Sequence, residues 1–471
     1  MALHPRSASR YSEIDGSTSI ETLAKTASEL RERFGDQTLW VVSSRGSGGG
    51  VAEMLHSLLP YARGFGVDVR WLVQWASPEA ARVHRRLHDA LHGDPGDGSD
   101  LGRDARACYE AVAARNMEQL AGEVRPGDVV FLHDPPTVGL IPGLVKRGAR
   151  VVWRCHIGSD VPGIETDRGW GFLAPYLGQA HAFVFSRFSY LPDFCDRLKS
   201  AIVAPSIDPF STKNQDLTDT TVRDILRQVG LLAGPEPAHP PVFLRRDGTK
   251  GYVRRRADVI REQGAPGLAT PMIVQVSRWD RLKDPRGVLG GFSRLLDSAG
   301  SGAAELVLAG PAPVGTVSEP EAREVFDEVV AAWRSLSSGR RRAIHLAALP
   351  VVDREENAAI VNALQRHATI VVQKSLREGF GLTVAEAMWK ARPVVASAVG
   401  GIQDQIEHGV SGWLLSDPTD QDAFASALRQ LLERRGFAER LGRNARRRVS
   451  QHFLAMRSLT QYLDLFGRLL D

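Results

Sequence analysis

The sequence has 471 residues, of which 43% are hydrophobic and 24% are charged, as is ordinary for a globular protein with several domains. Its net charge of +4 is small for this length and its basic residues are scattered, which argues against nucleic acid as a partner. The three cysteines lack metal-ligand or redox spacing, and neither a signal peptide nor eighteen consecutive apolar residues occurs, so we expect a cytoplasmic protein with reduced thiols and no membrane span.

The chain begins with two predicted helices and a strand around a glycine-rich turn. Amphipathic periodicity predicts helices at 19–33 and 51–63, and an apolar run predicts a strand at 38–42. The intervening turn has neither Gly-x-Gly-x-x-Gly with a ribose-binding acid nor Gly-Lys-Ser/Thr, so dinucleotide binding and a P-loop are both disfavoured. Taken alone, the turn is a loop whose glycines permit positive φ angles.

Two hydrophobic runs farther along each end in a histidine. A strand predicted at 129–132 is followed by His133 and Asp134, and a strand predicted at 150–155 is followed by His156. Ligands bind at the carboxyl ends of the strands in open α/β sheets. One such histidine could be accidental, but two on successive strands indicate a ligand site.

The second half opens after a proline-containing connector at 232–241, where we place a domain boundary. A strand predicted at 270–276 is followed by Arg278 and Lys283, and then by a helix. Two cations and a helix N-terminus converging on the same oxygens suit a diphosphate. The alternative is a solvated surface pair.

The stretch 368–401 carries the strongest pattern in the chain. It predicts a strand, a glycine loop, a helix to Trp389 and a second strand, which is a βαβ unit of a parallel sheet. Two carboxylates, Glu378 and Glu386, bracket the glycine loop. Amides at a helix N-terminus suit phosphate whereas carboxylates suit sugar hydroxyls, so a ligand with both chemistries is a nucleotide sugar.

This stretch resembles the Glu-x7-Glu signature of retaining nucleotide-sugar glycosyltransferases of the GT-B architecture. The string Gln-Lys-Ser-Leu-Arg-Glu-Gly-Phe-Gly-Leu-Thr-Val is most similar to the trehalose glycosyltransferring synthases and to the trehalose phosphorylases. Gly-Gly-Gly-Val-Ala-Glu-Met-Leu, His-Asp-Pro and Trp-Arg-Cys-His-Ile resemble the same group. The resemblance extends from Tyr11 to about Leu415.

The resemblance implies roles for the residues that match it. The catalytic set comprises His156, Glu378, Lys283 and Arg278. The donor-binding set comprises Gly49, Gly50, Arg278, Lys283, Gly379, Phe380, Gly381, Leu382, Thr383 and Glu386. The acceptor-binding set comprises His133 and Asp134. Neither a protein-bound metal nor a tightly bound cofactor is implied.

The fold that the resemblance implies is α/β, with two Rossmann-like domains facing across a cleft and a C-terminal helix crossing back to the first domain. On this basis we expect an acceptor domain at 1–235, a nucleotide-sugar donor domain at 236–452 and the returning helix at 453–471.

The activity that the resemblance implies is transfer of glucose, with retention, from a nucleoside-diphosphate glucose to glucose or a related small sugar, giving an α,α-1,1-linked disaccharide. The sequence does not choose between UDP, ADP and GDP, and it leaves the acceptor and a homodimer open. The alternatives are a trehalose phosphorylase that uses phosphate or glucose 1-phosphate, a nucleotide-sugar epimerase on the same scaffold, and a catalytically silent sugar-binding protein.

Overall fold

The computed structural model describes residues 1–15, 17–300, 302, 304–313 and 320–470. They form two compact units. The first unit comprises Met1–Ile207 and the chain from Phe453 onward, and the second comprises Asp208–His452.

The first unit is built on a six-stranded sheet in which every neighbouring pair is parallel. Its strands are β1 (Leu39–Ser43), β2 (Val69–Val73), β3 (Val129–His133), β4 (Arg150–Cys155), β5 (Ala182–Phe185) and β6 (Ser200–Ile202), in the order β2-β1-β3-β4-β5-β6. All five residues of β1 and of β3 are buried. Continuous burial is expected for parallel strands that are covered on both faces, and it explains their unbroken apolar runs.

Helices cover both faces of this sheet. They are α1 (Ser12–Asp15), α2 (Ser17–Phe34), α3 (Gly50–Gly64), α4 (Pro78–Leu91), α5 (Arg103–Leu120), α6 (Ile141–Lys146) and α7 (Ile164–Leu177). A cluster of buried side chains that includes Trp40, Tyr109, Trp153 and Phe172 joins the sheet to α4, α5 and α7. The strand order reverses between β1 and β3, so the carboxyl ends of these two strands form the place where an open α/β sheet binds ligands.

The second unit contains a two-stranded antiparallel hairpin and a seven-stranded sheet. The hairpin consists of β7 (Val242–Leu244) and β8 (Lys250–Tyr252). The sheet consists of β9 (Asp258–Ile260), β10 (Met272–Val276), β11 (Glu305–Pro311), β12 (Ile344–Leu349), β13 (Ile370–Gln373), β14 (Val394–Ser397) and β15 (Trp413–Leu415), in the order β15-β14-β13-β10-β11-β12-β9. Among the described strands of this seven-stranded sheet, all neighbouring pairs are parallel except the edge strand β9 with β12, which is antiparallel. Here the order reverses between β10 and β13.

The helices of the second unit surround its sheet. They are α8 (Asp219–Gln228), α9 (Pro285–Ala299), α10 (Pro320–Arg334), α11 (Ser338–Arg342), α12 (Arg354–His367), α13 (Leu382–Trp389), α14 (Ile402–Gln405), α15 (Gln421–Glu433) and α16 (Arg435–His452). Among the described residues, no helix is both long enough and apolar enough to cross a membrane.

The unit boundary differs from the one expected at residue 235. The chain leaves the first unit after Ile207, because the segment 208–217 is bonded to helices of the second unit. Asn362 donates to the Thr212 and Gln215 carbonyls at 3.1 and 2.9 Å, and the buried Lys390 amine lies 3.0 Å from Asn214 Oδ1. The prolines of the connector at 232–241 therefore mark a loop inside the second unit.

The last helix, α17 (Ala455–Leu470), belongs to the first unit. Its apolar face, which includes Leu459, Tyr462 and Phe466, is buried, and it packs against α2 and α3. Ile207 and Leu454 form a parallel bridge where the chain leaves and re-enters the unit. The α/β prediction with parallel sheets and a returning helix is confirmed. Residue 471, the last of the predicted segment, lies outside the described residues.

Candidate active site

Apart from His156, the predicted site residues follow strands that border the two reversals of strand order, or lie on a helix that begins there. In the first unit, the loop after β1 leads to Gly49 and Gly50, and β3 ends at His133 beside Asp134. His156 follows the neighbouring strand β4. In the second unit, Arg278 and Lys283 follow β10, and the residues from Glu378 to Glu386 follow β13. The two units are described separately below.

Lys283 and Glu378 form an ion pair in the second unit. The Lys283 amine lies 2.5 Å from Glu378 Oε2, and both side chains are largely buried. Ser375 Oγ donates to the same carboxylate oxygen at 3.3 Å. Arg278 is exposed and donates to Asp280 at 2.9 Å. The loop after β10 therefore presents two cations, of which Lys283 is already held against the loop after β13.

The glycine loop ends where α13 begins. Gly381 has φ +82°, which is in the left-handed region, and a Cβ there would lie 3.1 Å from Ile402 Cγ1, so both conformation and space favour glycine. The carbonyls of Gly379 and Phe380 accept bonds from Gly401 N at 3.0 Å and Gln405 Nε2 at 2.5 Å. These contacts fix the loop at the positive end of the helix, a placement suited to phosphate oxygens.

The remaining donor residues lie on α13. Leu382 is its first residue, and Thr383 Oγ1 donates to Gln373 Oε1 at 3.0 Å. Glu386 is 1% exposed, and Lys213 Nζ lies 3.3 Å from its Oε1. Lys213 lies in the segment 208–217, which was expected in the first domain but belongs to the second unit. Its position beside Glu386 could therefore not be deduced from sequence spacing.

His156 stacks on His133 in the first unit. The two imidazole rings lie 14° from parallel with 5.3 Å between their centroids, and His156 Nε2 is 3.0 Å from His133 Nδ1. Arg154 Nε lies 2.9 Å from the same His156 nitrogen. His133 is 1% exposed, so its imidazole contacts His156 and has almost no contact with solvent.

Asp134 adopts a backbone conformation that is rare for a residue with a side chain. Its φ is +65°, its carbonyl accepts from Thr137 Oγ1 at 3.0 Å, and its carboxylate Oδ1 accepts from the His156 backbone N–H at 2.8 Å. With ψ 170° this lies outside the left-handed helical region where aspartate is common, so the backbone here is strained and is held by these hydrogen bonds. Asp134 therefore fixes the start of the loop that carries His156.

Burial shifts the pKa values of this group of side chains. It lowers the pKa of His156 and of His133 well below the usual value, and the positive charge of Arg154 lowers both further. Burial lowers the pKa of Arg154 to about 9 and raises the pKa of Asp134 to about 6, against the opposing hydrogen bond from the His156 backbone. The two histidines are therefore neutral at pH 7 and offer an uncharged acceptor or donor to a ligand.

Gly48 and Gly49 have φ of +74° and +83°, and Gly49 precedes the first residue of α3, Gly50. A Cβ at Gly48 or Gly49 would meet no atom within 4 Å, so the conformation and not the space requires glycine. The three residues turn the chain from β1 into a helix that begins at the strand reversal.

Sequence reasoning missed several side chains that contact these residues. Arg154 donates to the Val203 carbonyl at 3.0 Å and to the hydroxyl of Tyr462, which comes from α17. Lys374 pairs with Asp284 beside the Lys283–Glu378 pair. Arg154 could have been noticed as a cation inside an apolar strand, whereas the Tyr462 contact spans 308 positions and has no local signal. Within the described part of the chain, no three His, Cys, Asp or Glu residues are grouped so as to hold a metal ion.

Comparison with known proteins gives two family matches. Residues 41–192 match the model described as trehalose synthase, N-terminal domain, and residues 346–448 match glycosyl transferases group 1. The trehalose synthase of Thermococcus litoralis is 31% identical over 97% of this chain and 96% of its own. The trehalose synthase of Rubrobacter xylanophilus is 33% identical over 94% and 93%.

A trehalose phosphorylase from Pleurotus pulmonarius is 28% identical over 93% of this chain but 58% of its own length. Among solved structures, a trehalose-6-phosphate synthase studied with bisubstrate glycomimetics has a TM-score of 0.67 at 15% identity, over 92% of this chain and 99% of its own. The Anabaena protein HepE, in complex with UDP and glucose, has a TM-score of 0.62 at 13% identity and the same coverage. These structural likenesses show the fold, which is that of GT-B glycosyltransferases.

Proposed function

This chain belongs to the trehalose synthase family of glycosyltransferases, and from that premise we propose that it transfers glucose from a nucleoside-diphosphate glucose to glucose or a related sugar with retention of the α configuration. The product is an α,α-1,1-linked disaccharide. The observation that carries the proposal is the pairing of Lys283 with Glu378 at the strand reversal of the second unit, beside the N-terminal end of α13.

In this proposal the residues of the second unit bind the donor. The diphosphate takes Lys283, Arg278 and the amides of residues 379–381, because phosphate oxygens are stabilised by cations and by a helix N-terminus. Leu382 and Thr383 supply the first turn of that helix. Glu386 accepts hydrogen bonds from the ribose hydroxyls, and Glu378 accepts from the transferred glucose. Donor binding would separate Glu378 from Lys283, so each residue exchanges its present partner for a part of the substrate.

The residues of the first unit serve the acceptor and the sugar being transferred. Asp134 holds the loop at His156, and the neutral imidazole of His156 is suited to a hydrogen bond with a sugar hydroxyl. His133 supports His156 from beneath. Gly49 and Gly50 give a ligand close approach to the backbone at the start of α3.

The proposed step breaks the bond between the anomeric carbon and the diphosphate oxygen and forms a bond to the acceptor oxygen on the same face. The acceptor's hydroxyl proton passes to the departing diphosphate. Lys283 and Arg278 neutralise the charge that develops on the leaving group, so electrostatic stabilisation and positioning supply most of the rate.

The test is a matrix of UDP-, ADP- and GDP-glucose against glucose and other small sugars, with mass and anomeric analysis of the products. We expect one nucleotide to be preferred and an α,α-1,1-linked disaccharide to accumulate with the nucleoside diphosphate. Inorganic phosphate with trehalose forms a control arm, and release of glucose 1-phosphate there without transfer in the matrix would establish the phosphorylase instead. Conversion of the nucleotide sugar without acceptor would establish the epimerase.

A further inference from the structure

Two amine–carboxylate pairs join the same two loops of the second unit. The loop after β10 supplies the adjacent residues Lys283 and Asp284, and the loop after β13 supplies Lys374 and Glu378. Lys283 pairs with Glu378, and Lys374 pairs with Asp284. Each loop thus contributes one amine and one carboxylate, and the two pairs cross-link the loops at neighbouring positions.

The pairs differ in their access to solvent. The side chains of Lys283, Glu378 and Asp284 are 15%, 12% and 17% exposed, whereas the Lys374 side chain has no exposed surface, so the difference lies in the lysines. A buried ion pair is weak evidence for stability, because the loss of hydration offsets much of the attraction and well-packed apolar residues are often as stable. A lysine fully buried beneath the donor loops therefore suggests a role in placing charges.

Asp284 is clamped on both of its carboxylate oxygens. Oδ1 accepts from Gly287 N at 3.0 Å and so caps α9, while Oδ2 faces Lys374. Asp284 has φ +48° and ψ +49°, which is the left-handed conformation. Its carboxylate lies so close to residue 287 that a Cβ there would be 1.9 Å from Oδ2, so this position requires glycine. The conformation of the residue that follows Lys283 is therefore fixed by the helix and by Lys374.

The backbone beside this clamp is also tied. Leu376 N donates to the Leu282 carbonyl at 2.8 Å, and Gln275 Nε2 donates to the Lys283 carbonyl at 3.0 Å. The main chain on both sides of the Lys283 side chain is thus held.

We propose that Lys374 and Asp284 are positioning residues for the donor, which hold the Lys283 turn in place when Glu378 leaves Lys283 to bind the sugar. This inference rests on the proposed function, in which the Lys283–Glu378 contact opens on donor binding. The Lys374 amine is fully buried and Asp284 is also held by the N-terminus of α9, so this pair stays closed and keeps the amine of Lys283 at the diphosphate.

The test is a double-mutant cycle with Asp284→Asn, Lys374→Met and the double variant. Asparagine keeps the cap and tolerates the left-handed conformation, so Asp284→Asn removes only the charge. Methionine keeps the length of the lysine side chain without the amine. Each single variant leaves one charge without its partner, the fully buried lysine or the largely buried aspartate, and should lower the melting temperature, whereas the double variant should recover most of it.

Turnover and nucleotide affinity then decide the role. If the pair positions Lys283, the double variant recovers its melting temperature but its kcat stays at least tenfold below that of the wild type. It also binds the preferred nucleoside diphosphate more weakly in calorimetry, while its KM for the acceptor is unchanged. Recovery of kcat and nucleotide affinity together with melting temperature would overturn the inference, since the pair would then serve stability alone. The surface pair Arg340–Asp297 in the same unit provides the control, and R340Q/D297N should match the wild type in all three measurements.

The same cycle separates this inference from the proposed function. If the wild type binds a nucleoside diphosphate but transfers no glucose, the proposed function fails while the calorimetric arm still decides the positioning role. Weaker nucleotide binding in the stable double variant supports positioning, and unchanged binding overturns it.

Discussion

At the scale of a single residue, Lys283 shows how a lysine and a glutamate from two loops neutralise each other. Its amine is held 2.5 Å from Glu378 in a largely buried pair, and the carboxylate also accepts from Ser375. The pair neutralises both charges. A donor that presents phosphate to the amine and hydroxyls to the carboxylate can replace both halves of the contact.

Lys283→Ala should lower kcat by on the order of a hundredfold or more, because the charge developing on the leaving diphosphate is no longer neutralised. Steady-state kinetics with the preferred donor measure the effect, and the exposed Lys250→Ala in the same unit provides the control. A rise in KM with unchanged kcat would mean that the lysine binds the ground state and the transition state equally well.

His156→Ala should depress turnover far more than donor binding, because its neutral imidazole is predicted to bond to the transferred sugar. We expect at least a hundredfold loss of kcat with nucleoside diphosphate affinity close to that of the wild type. The melting temperature should fall, because the buried Arg154 and His133 side chains each lose a hydrogen-bond partner, whereas the exposed His239→Ala should change none of the three quantities. An equally large loss of kcat in Tyr462→Phe, which destabilises the same buried group, would show that His156 only supports the loop. Near-normal turnover would move the catalytic role to Asp134.

Asp134→Asn should change how stability depends on pH. The folded-state pKa of Asp134 is about 6, which is above its unfolded value of ~3.9. Between these two pH values the folded state binds more protons than the unfolded state, so stability falls as pH rises from about 4 to 6. Asparagine cannot ionise, yet its side-chain oxygen can still accept from the His156 N–H, and its size matches that of aspartate, so the backbone strain is the same in both proteins. The variant should therefore gain stability relative to the wild type, by about 1 to 3 kcal/mol at pH 7.5.

Urea unfolding at several pH values between 4 and 7.5 measures this difference. The exposed Asp36→Asn should run parallel to the wild type. Curves for Asp134→Asn that also run parallel to the wild type would show that the Asp134 carboxyl titrates alike in the folded and unfolded states.

At the scale of elements, α17 links the end of the chain to the loop that carries His156. Tyr462 on this helix contacts Arg154, and Arg154 contacts His156, all within the first unit. The guanidinium is buried in the middle of the sheet, where burial lowers its pKa to about 9. The helix therefore contributes a hydrogen-bond partner to a buried charge as well as an apolar face.

Tyr462→Phe should cost about 1 to 3 kcal/mol of stability, because it removes a hydroxyl from a buried cation while leaving the packing of the ring intact. Chemical unfolding measures the loss, and the exposed Tyr252→Phe should change stability by less than about 0.5 kcal/mol. Equal stability of the two variants would show that Arg154 finds another partner in the absence of the hydroxyl.

At the scale of the whole molecule, the proposal assigns nucleotide binding to the second unit. Hydrogen exchange with and without a saturating nucleoside diphosphate should show the largest protection in residues 278–284 and 374–386. Mass action predicts a stabilisation of about 2.7 kcal/mol at a ligand concentration 100 times Kd. Protection that is greatest in the loops after β1, β3 and β4 would assign the nucleotide to the first unit and contradict the donor set.

The sequence predicted the strands and helices well where a segment has one strong local pattern. The apolar runs that became β3, β4, β10 and β13 were recognisable because strands of a parallel sheet are buried on both faces. The hairpin of β7 and β8 and the edge strand β9 were missed. Each of these strands has only three residues, and two of the three residues in β7 and in β8 are exposed. All three strands lie in a proline-containing and basic stretch. Neither their length nor their hydrophobic periodicity therefore indicated a strand.

By itself, the sequence determined the α/β class, the family and the residues that follow each strand, because these depend on local periodicity and on contiguous motifs. Tertiary structure alone decided which side chains meet. Lys213 beside Glu386, Lys374 beside Asp284, and Tyr462 beside Arg154 join positions about 90 to 310 residues apart. The order of strands in the sheets and the packing of α17 determine these contacts, and no spacing within one segment encodes them.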